Sequence, residues 1–335
     1  MRRDDPLGSM TTTELHPLVL SPIYRRYIWG GRRFASTLGR SLPPGDDYAE
    51  SWELVDRGSD QSLVAAGPLA GSTLGDLVRT RGVELLGRHA PLPAFPLLFK
   101  FLDASHDLSV QVHPDDTRAG RLTPPDRGKT EAWYVIDAVP GSRIYAGLQT
   151  GTTRDELADA LRAGRCGAVL HSFEPHPGDC IFIPAGTVHA IGAGLMVAEI
   201  QQSSDVTYRL HDWDRVGPDG RPRAMHIEAG LEAVTHFEPV APVTGDSTGD
   251  PAVRRLVTSQ YFLLDEVRPH RRWQVGGDDR CHFLAVLAGH LRLESRWGLP
   301  DLVAGSCVLL PAAVGSQAVE PVDGDPAKLL HVSMP

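Results

Sequence analysis

The chain lacks an apolar run long enough to span a bilayer. Among its most apolar stretches, Leu92 to Leu102 is short and is broken by Pro93, Pro96 and Lys100. Cysteine is scarce: Cys166, Cys180, Cys281 and Cys307 lie far apart with no CxxC spacing. That excludes a disulfide framework and a thiolate zinc ribbon, and we read the four as buried, reduced thiols of a cytoplasmic protein. Positive charge is in deficit, with 33 Lys+Arg against 42 Asp+Glu and a net charge of -9. A nucleic-acid partner therefore has no electrostatic support. The N-terminus, Met1 to Leu15, carries Arg2 and Arg3 but no apolar segment behind them, so we expect no signal peptide. What is present is an ordinary globular composition, and 335 residues suffice for two domains with real cores.

Proline and glycine, 27 and 34 residues, close many short apolar runs, a pattern of β-structure with tight turns. Helices are expected near Arg32–Leu38, over 71–90, over 153–163 and over His226–Val234. Thr73 is a candidate N-cap with Asp76 three residues on, and Gly87 a candidate stop. The stretch 239–251 is rich in Pro, Gly, Thr, Ser and Asp without periodicity, and a linker is placed at 239–253. One turn motif recurs on either side of it. Gly178-Asp-Cys-Ile-Phe-Ile-Pro184-Ala-Gly186-Thr-Val-His189 resembles the second signature motif of cupins, small jelly-roll barrels. Gly305-Ser-Cys-Val-Leu-Leu-Pro311-Ala-Ala313-Val-Gly-Ser316 repeats its spacing with Ala313 for the glycine and Ser316 for the histidine. The expectation is a mainly β protein of two cupin barrels: a catalytic domain over 16–238 with a small helical insertion around 71–95, and a degenerate barrel over 254–335 without metal.

In the run Ser109-Val-Gln111-Val-His113-Pro, alternation puts Ser109, Gln111 and His113 on one face of a strand. Glu131 opens the next strand, and His189 follows the Pro-Gly turn. Inside a barrel these bring an amide oxygen, two imidazoles and a carboxylate to one divalent cation. The set contains no cysteine, which favours a catalytic site open to substrate over a structural one. Such mixed donors suit zinc and also Mn, Fe, Co or Ni. His106, His171, His176 and His211 are read as unrelated to it. So are Trp29, expected at the barrel edge or site rim, and Trp52, a core residue beside a solvated Glu53. Asp212, Asp214 and Arg215 are expected to form a solvated turn.

Six segments in order then carry a resemblance. They are Tyr27-Ile-Trp-Gly-Gly31, Leu98-Phe-Lys100, Ser109 to Asp115, Gly128-Lys-Thr-Glu131, Ile183 to His189 and Glu199 to Arg209. Together they resemble type I mannose-6-phosphate isomerase, in its short bacterial branch, from about Tyr24 to Leu231 and more loosely beyond. Longer relatives have a histidine before the lysine where this chain has Gly128. The resemblance implies one Zn2+ per chain held by Gln111, His113, Glu131 and His189. It implies substrate contacts from Ser109, Lys100, Lys129 and Arg209, with Glu199 and Asp205 at acidic positions near the active site. The reaction so implied interconverts mannose 6-phosphate and fructose 6-phosphate through a cis-enediol.

That chemistry needs an electrophile for the two oxygens, a base for the proton and a clamp for the phosphate. Arg209, permanently charged and planar, is assigned to the developing enediolate. Lys100, Lys129 and Ser109 offer donors to phosphate, and the division of cations between the two ends stays open. For the base, Glu199 is preferred over Asp205 and Lys129, because it is a carboxylate in the apolar strand Met196-Val-Ala-Glu-Ile. The competing readings are a sugar-phosphate isomerase or epimerase of other specificity, and a non-catalytic sugar-binding cupin. The expected partner is a sugar phosphate, with neither nucleic acid nor membrane, and the oligomeric state is left open.

Overall fold

The computed structural model describes residues 14–217, 220–322, 324 and 326–335. The expectation of no signal peptide falls largely on residues 1–13, outside the described residues. The fold is mainly β, and four larger sheets make two sandwiched barrels. In the first, a six-stranded sheet runs in the order Cys180–Ile183, Glu131–Ala138, Leu195–Gln202, Leu97–Ala104, Tyr48–Leu54, Ile23–Gly31. It faces a five-stranded sheet ordered Leu170–Phe173, Ile144–Leu148, His189–Ile191, Val110–Val112, Tyr208–His211. Residues from both, including Leu102, Trp133, Val135, Ile144, Ile191 and Val197, form the core between them.

The second barrel pairs a four-stranded sheet with an eight-stranded one. Most of the larger sheet comes from beyond residue 245. Its far edge, however, is Leu18–Ser21 followed by Leu63–Val64, with Leu18 paired to Leu309 and Val19 to Val308. The outer faces of the six- and eight-stranded sheets meet in the largest core, where Phe99 and Phe101 pack with Phe283 and Leu330. This explains why Leu97–Ala104 carries apolar residues on both faces: all eight residues are buried, one face toward the cavity and one toward the other barrel. Each phenylalanine so covered contributes about 1.5–3 kcal/mol.

The expected helices form at Arg33–Leu38, Leu74–Leu86, Arg154–Arg162 and Ile227–Ala233. The Thr73 hydroxyl accepts from Asp76 N, and Gly87 ends that helix. A cap of this kind contributes about 1 kcal/mol. Thr153 and Glu156 form a complete capping box. All four cysteines are free and buried. Two expectations are corrected. Glu53 is fully buried and paired with Arg40, Oε2 to Nη2 2.8 Å, rather than solvated. Asp212 is also buried and receives Arg215 and Arg223, so the turn after Tyr208–His211 is closed by an ion cluster. Among the described residues no helix is long and apolar enough to cross a membrane.

The internal repeat is legible in strand register. Glu131 pairs with Ile183, just before Pro184, and His282 pairs with Leu310, just before Pro311. By the same register His331 stands where Glu199 does, and Asp265 where Lys100 does. In the second barrel these groups satisfy each other: His282 Nδ1 is 2.8 Å from His331 Nε2, and His331 Nδ1 is 3.0 Å from Asp265 Oδ2.

Candidate active site and metal centre

Side chains of alternate residues point into the first barrel from both sheets. On the five-stranded sheet His189 and Arg209 both pair with Gln111, so the three stand side by side on adjacent strands. On the six-stranded sheet Lys100 pairs with Glu199, and Glu131 pairs with Gln201 two residues further along. The Pro184–Gly186 turn sets the start of the His189 strand. Gly186 has φ +89, and a Cβ there would lie 2.0 Å from Thr235 Oγ1.

His113, Glu131 and His189 each bring one ligand atom within 4.8 Å of the others, all three buried. The imidazoles are oriented by backbone. His113 Nδ1 is 2.8 Å from Val206 O, and His189 Nδ1 is 2.9 Å from Thr187 O. A carbonyl only accepts, so each Nδ1 carries its hydrogen and each Nε2 lone pair faces the site. Burial, reinforced by Lys129, pushes His189 down to about 3 and His113 well below its ordinary value, so both stay neutral. Glu131 Oε1 is buried, lies 3.3 Å from His189 Nε2 and accepts from no donor. Burial and then Glu199 push this carboxyl up to about 7, against the lowering effect of Lys129. A buried carboxylate oxygen without a donor, beside an imidazole lone pair and within reach of a second, is what a cation relieves, so the donor set fits a divalent metal. Gln111 stands beside it with its amide nitrogen 3.3 Å from His189 Nε2. A half-turn of the amide exchanges nitrogen for oxygen as the group facing the imidazole.

Next to this cluster lies a ladder of buried ions. Lys129 Nζ is 2.6 Å from Glu131 Oε2, 3.0 Å from His113 Nε2 and 3.8 Å from Glu199 Oε1. Lys100 Nζ is 3.2 Å from Glu199 Oε1 and 3.4 Å from Glu50 Oε1. Burial lowers Lys100, but Glu199 and Glu50 more than offset it and hold its pKa above the ordinary value. Trp133 Nε1 donates to Glu199 Oε2 over 3.0 Å. The cluster opens into a cavity of about 320 Å3, within the range of small-molecule sites.

Lys100, Ser109, Gln111, Lys129, His189, Glu199, Asp205 and Arg209 all line this cavity. Asp205 is exposed at its rim, whereas Glu199 is buried. Arg209 donates through Nη1 to Ala224 O over 2.9 Å. Trp29 lines the wall beside Tyr27, as the rim reading anticipated, and Trp52 does not reach the cavity. Sequence reasoning missed Glu50 and Arg223, which also line it. The signal for Glu50 was an acid at an inward position of Tyr48–Leu54. Arg223 had no local signal.

Gly128, where longer relatives place a histidine, is crowded by backbone. A Cβ would stand 2.5 Å from Asp116 N and 2.6 Å from Asp115 C. The chain therefore admits no side chain there without moving the segment that carries His113 and Lys129.

Residues 18–132 match the model of the phosphomannose isomerase type I catalytic domain. The mannose-6-phosphate isomerase of Streptococcus mutans is 35% identical over 311 residues, covering 90% of this chain and 94% of that protein. Mannose-6-phosphate isomerase ManA of Bacillus subtilis is 33% identical over 319 residues, covering 92% and 96%. The crystal structure of the mannose 6-phosphate isomerase from Bacillus subtilis superposes with a TM-score of 0.86 at 30% identity, over 95% of this chain and 99% of that one. With similarity running nearly end to end in both sequence and fold, the chain belongs to the type I phosphomannose isomerase family.

Proposed function

We propose that the protein is a zinc-dependent isomerase that interconverts mannose 6-phosphate and fructose 6-phosphate. The observation that carries this reading is the juxtaposition of the His113–Glu131–His189 cluster with the buried Lys129–Glu199–Lys100 ladder on one wall of the cavity. The family is metal-dependent. We assign the metal as Zn2+, held by Gln111, His113, Glu131 and His189, an oxygen- and nitrogen-donor set that leaves an open face. When bound, such an ion polarises the carbonyl and steadies the two oxygens between which the carbonyl moves.

The remaining chemistry falls to side chains. Glu199 takes the proton from C2 of the aldose and returns it at C1, while the hydroxyl proton of O2 passes to O1, which yields the ketose through a cis-enediol. It is suited to this because it is largely buried and ionised. Burial pushes its carboxyl up, and Lys100 with Lys129 outweighs burial and holds it below the usual range. Lys100 and Lys129 donate to the sugar's oxygens, and Ser109 adds a neutral donor from the opposite sheet. Arg209, on the strand beside Gln111, stabilises charge on the enediolate. Asp205, exposed at the rim, is the second candidate base. The catalytic unit is residues 16–238 and the C-terminal unit is 254–335, joined by 239–253, with the first lending Leu18–Ser21 to the sheet of the second.

The test is the rate of fructose 6-phosphate formation from mannose 6-phosphate before chelation, after it, and after zinc is added back. Loss and recovery support both substrate and metal. A folded, zinc-loaded protein without turnover overturns the substrate assignment and leaves a sugar-phosphate isomerase of other specificity or a binding protein.

A further inference from the structure

The two ends of the cavity carry opposite charge. At the floor, Glu50, Glu131 and Glu199 stand against Lys100 and Lys129, so carboxylates outnumber ammonium groups. A divalent cation at this end is matched by the charge that develops on the sugar's own oxygens, with no surplus for a phosphate dianion. At the mouth, Arg209, Arg215 and Arg223 gather around the single buried carboxylate of Asp212. Even with exposed Asp205 counted, positive charge is in excess there.

Arg223 is built into place. Its Nε donates to Asp212 Oδ2 over 2.7 Å, and its Nη2 bonds Asp212 Oδ1, which also receives Arg215 Nη2 at 2.6 Å. The loop that carries it is tied to the Tyr208–His211 strand through His226 N to Arg209 O, 2.8 Å, and through Arg209 Nη1 to Ala224 O. Arg223 lines the catalytic cavity and, with Tyr27 and Arg209, an outer cavity of about 580 Å3 beyond it. Arg209 Nε is buried and donates to no acceptor. Burial lowers the pKa of Arg209, and the neighbouring Arg223 lowers it further, a repulsion that a bound anion relieves.

We propose that Arg223, oriented by Asp212, binds the phosphate of the substrate at the cavity mouth, leaving Lys100 and Lys129 to serve the sugar end. The assignment rests on the functional reading above and adds the direction in which the substrate lies. A guanidinium fixed by a carboxylate on one edge presents its other edge as a preformed donor pair for phosphate oxygens.

The experiment compares wild type, Arg223→Gln and Arg223→Lys on mannose 6-phosphate and on unphosphorylated mannose, with inorganic phosphate titrated calorimetrically into each. In Arg223→Gln, loss of a charge-assisted pair raises KM for the phosphorylated substrate and weakens phosphate binding by roughly 10- to 100-fold. kcat falls less than KM rises, and any loss of kcat/KM on mannose is smaller than the loss on mannose 6-phosphate. Arg223→Lys recovers part of the loss and, if the glutamine variant does not fold, carries the test through its own raised KM. Wild-type KM and phosphate affinity in a folded Arg223→Gln protein overturn the assignment. So does an equal loss on mannose, which marks Arg223 as scaffold for Arg209. If wild type does not turn over mannose 6-phosphate, the functional reading fails, and the phosphate titration still decides the role of Arg223: weaker binding in the variant supports it, and no binding in wild type overturns it.

Discussion

Lys100 and Glu199 face each other from neighbouring antiparallel strands, Nζ to Oε1 3.2 Å, and both side chains are buried. The pair keeps a largely buried carboxylate ionised, which is the state a proton acceptor needs. Glu199→Gln preserves shape and the Trp133 contact but removes the base. Exchange of the C2 hydrogen of mannose 6-phosphate with solvent is expected to fall by about 10²- to 10⁴-fold with bound metal retained. Unchanged exchange would move the role to Lys129 or Asp205.

His113→Ala and Arg209→Ala are expected to fail in different ways. The first removes an oriented imidazole, so bound metal and turnover drop together while the barrel still melts cooperatively. The second keeps the metal and loses turnover by roughly 10²- to 10³-fold, the scale of a lost charge-stabilising donor. Elemental analysis beside the rate assay separates them. Metal-free His113→Ala with full activity sinks the metal assignment, and loss of metal from Arg209→Ala makes Arg209 a scaffold residue.

Gly128→Ala is expected to destabilise the protein by about 1–3 kcal/mol, because the added Cβ meets backbone that cannot rotate away. Urea unfolding measures this directly. Since Lys129 is the next residue, kcat is expected to fall as well. A variant with wild-type stability and rate would show that the Asp115–Asp116 segment yields easily.

The second barrel should make the fold acid-sensitive. Burial, and then His331, pushes His282 down to about 4 from 6.5, so it is neutral in the folded state and charges readily only when unfolded. The stability it contributes is complete above pH 6.5 and is lost as pH falls through 4, a gap worth about 3 kcal/mol. His282→Gln is therefore expected to flatten the decline in melting temperature between pH 6.5 and 4. Equal slopes for variant and wild type in that window would contradict the assignment.

Chemistry that depends on local pattern was readable from the sequence. Gln111 and His113 share a strand face, Thr73 and Thr153 cap helices through residues three positions on, and the Pro-Gly turn before His189 carries its own spacing. What was not readable depends on partners brought in from elsewhere. Glu53 looked solvated because Arg40, which neutralises it, lies on another element. Asp212 looked solvated for the same reason, since Arg223 reaches it only after the intervening loop folds back. Arg223 went unnoticed because no periodicity marks a loop residue that only folding brings against Asp212 and the Arg209 strand. Nothing in Leu18–Ser21 announces that its partner strand is Cys307–Leu310.

That last pairing bears on how the protein emerges from a ribosome. Leu18 is made long before Cys307, where its partner strand begins, a gap of 289 residues between positions 18 and 307. At translation speeds of about 5–20 residues per second, the early strand waits roughly 15–60 s for its mate. For much of that interval the outer face bearing Phe99 and Phe101 lacks Phe283 and Leu330, which cover it in the finished molecule. The nascent chain thus carries a complete set of catalytic side chains well before it has the surface that seals them from behind, and vectorial synthesis makes the last eighty residues the ones that close the structure.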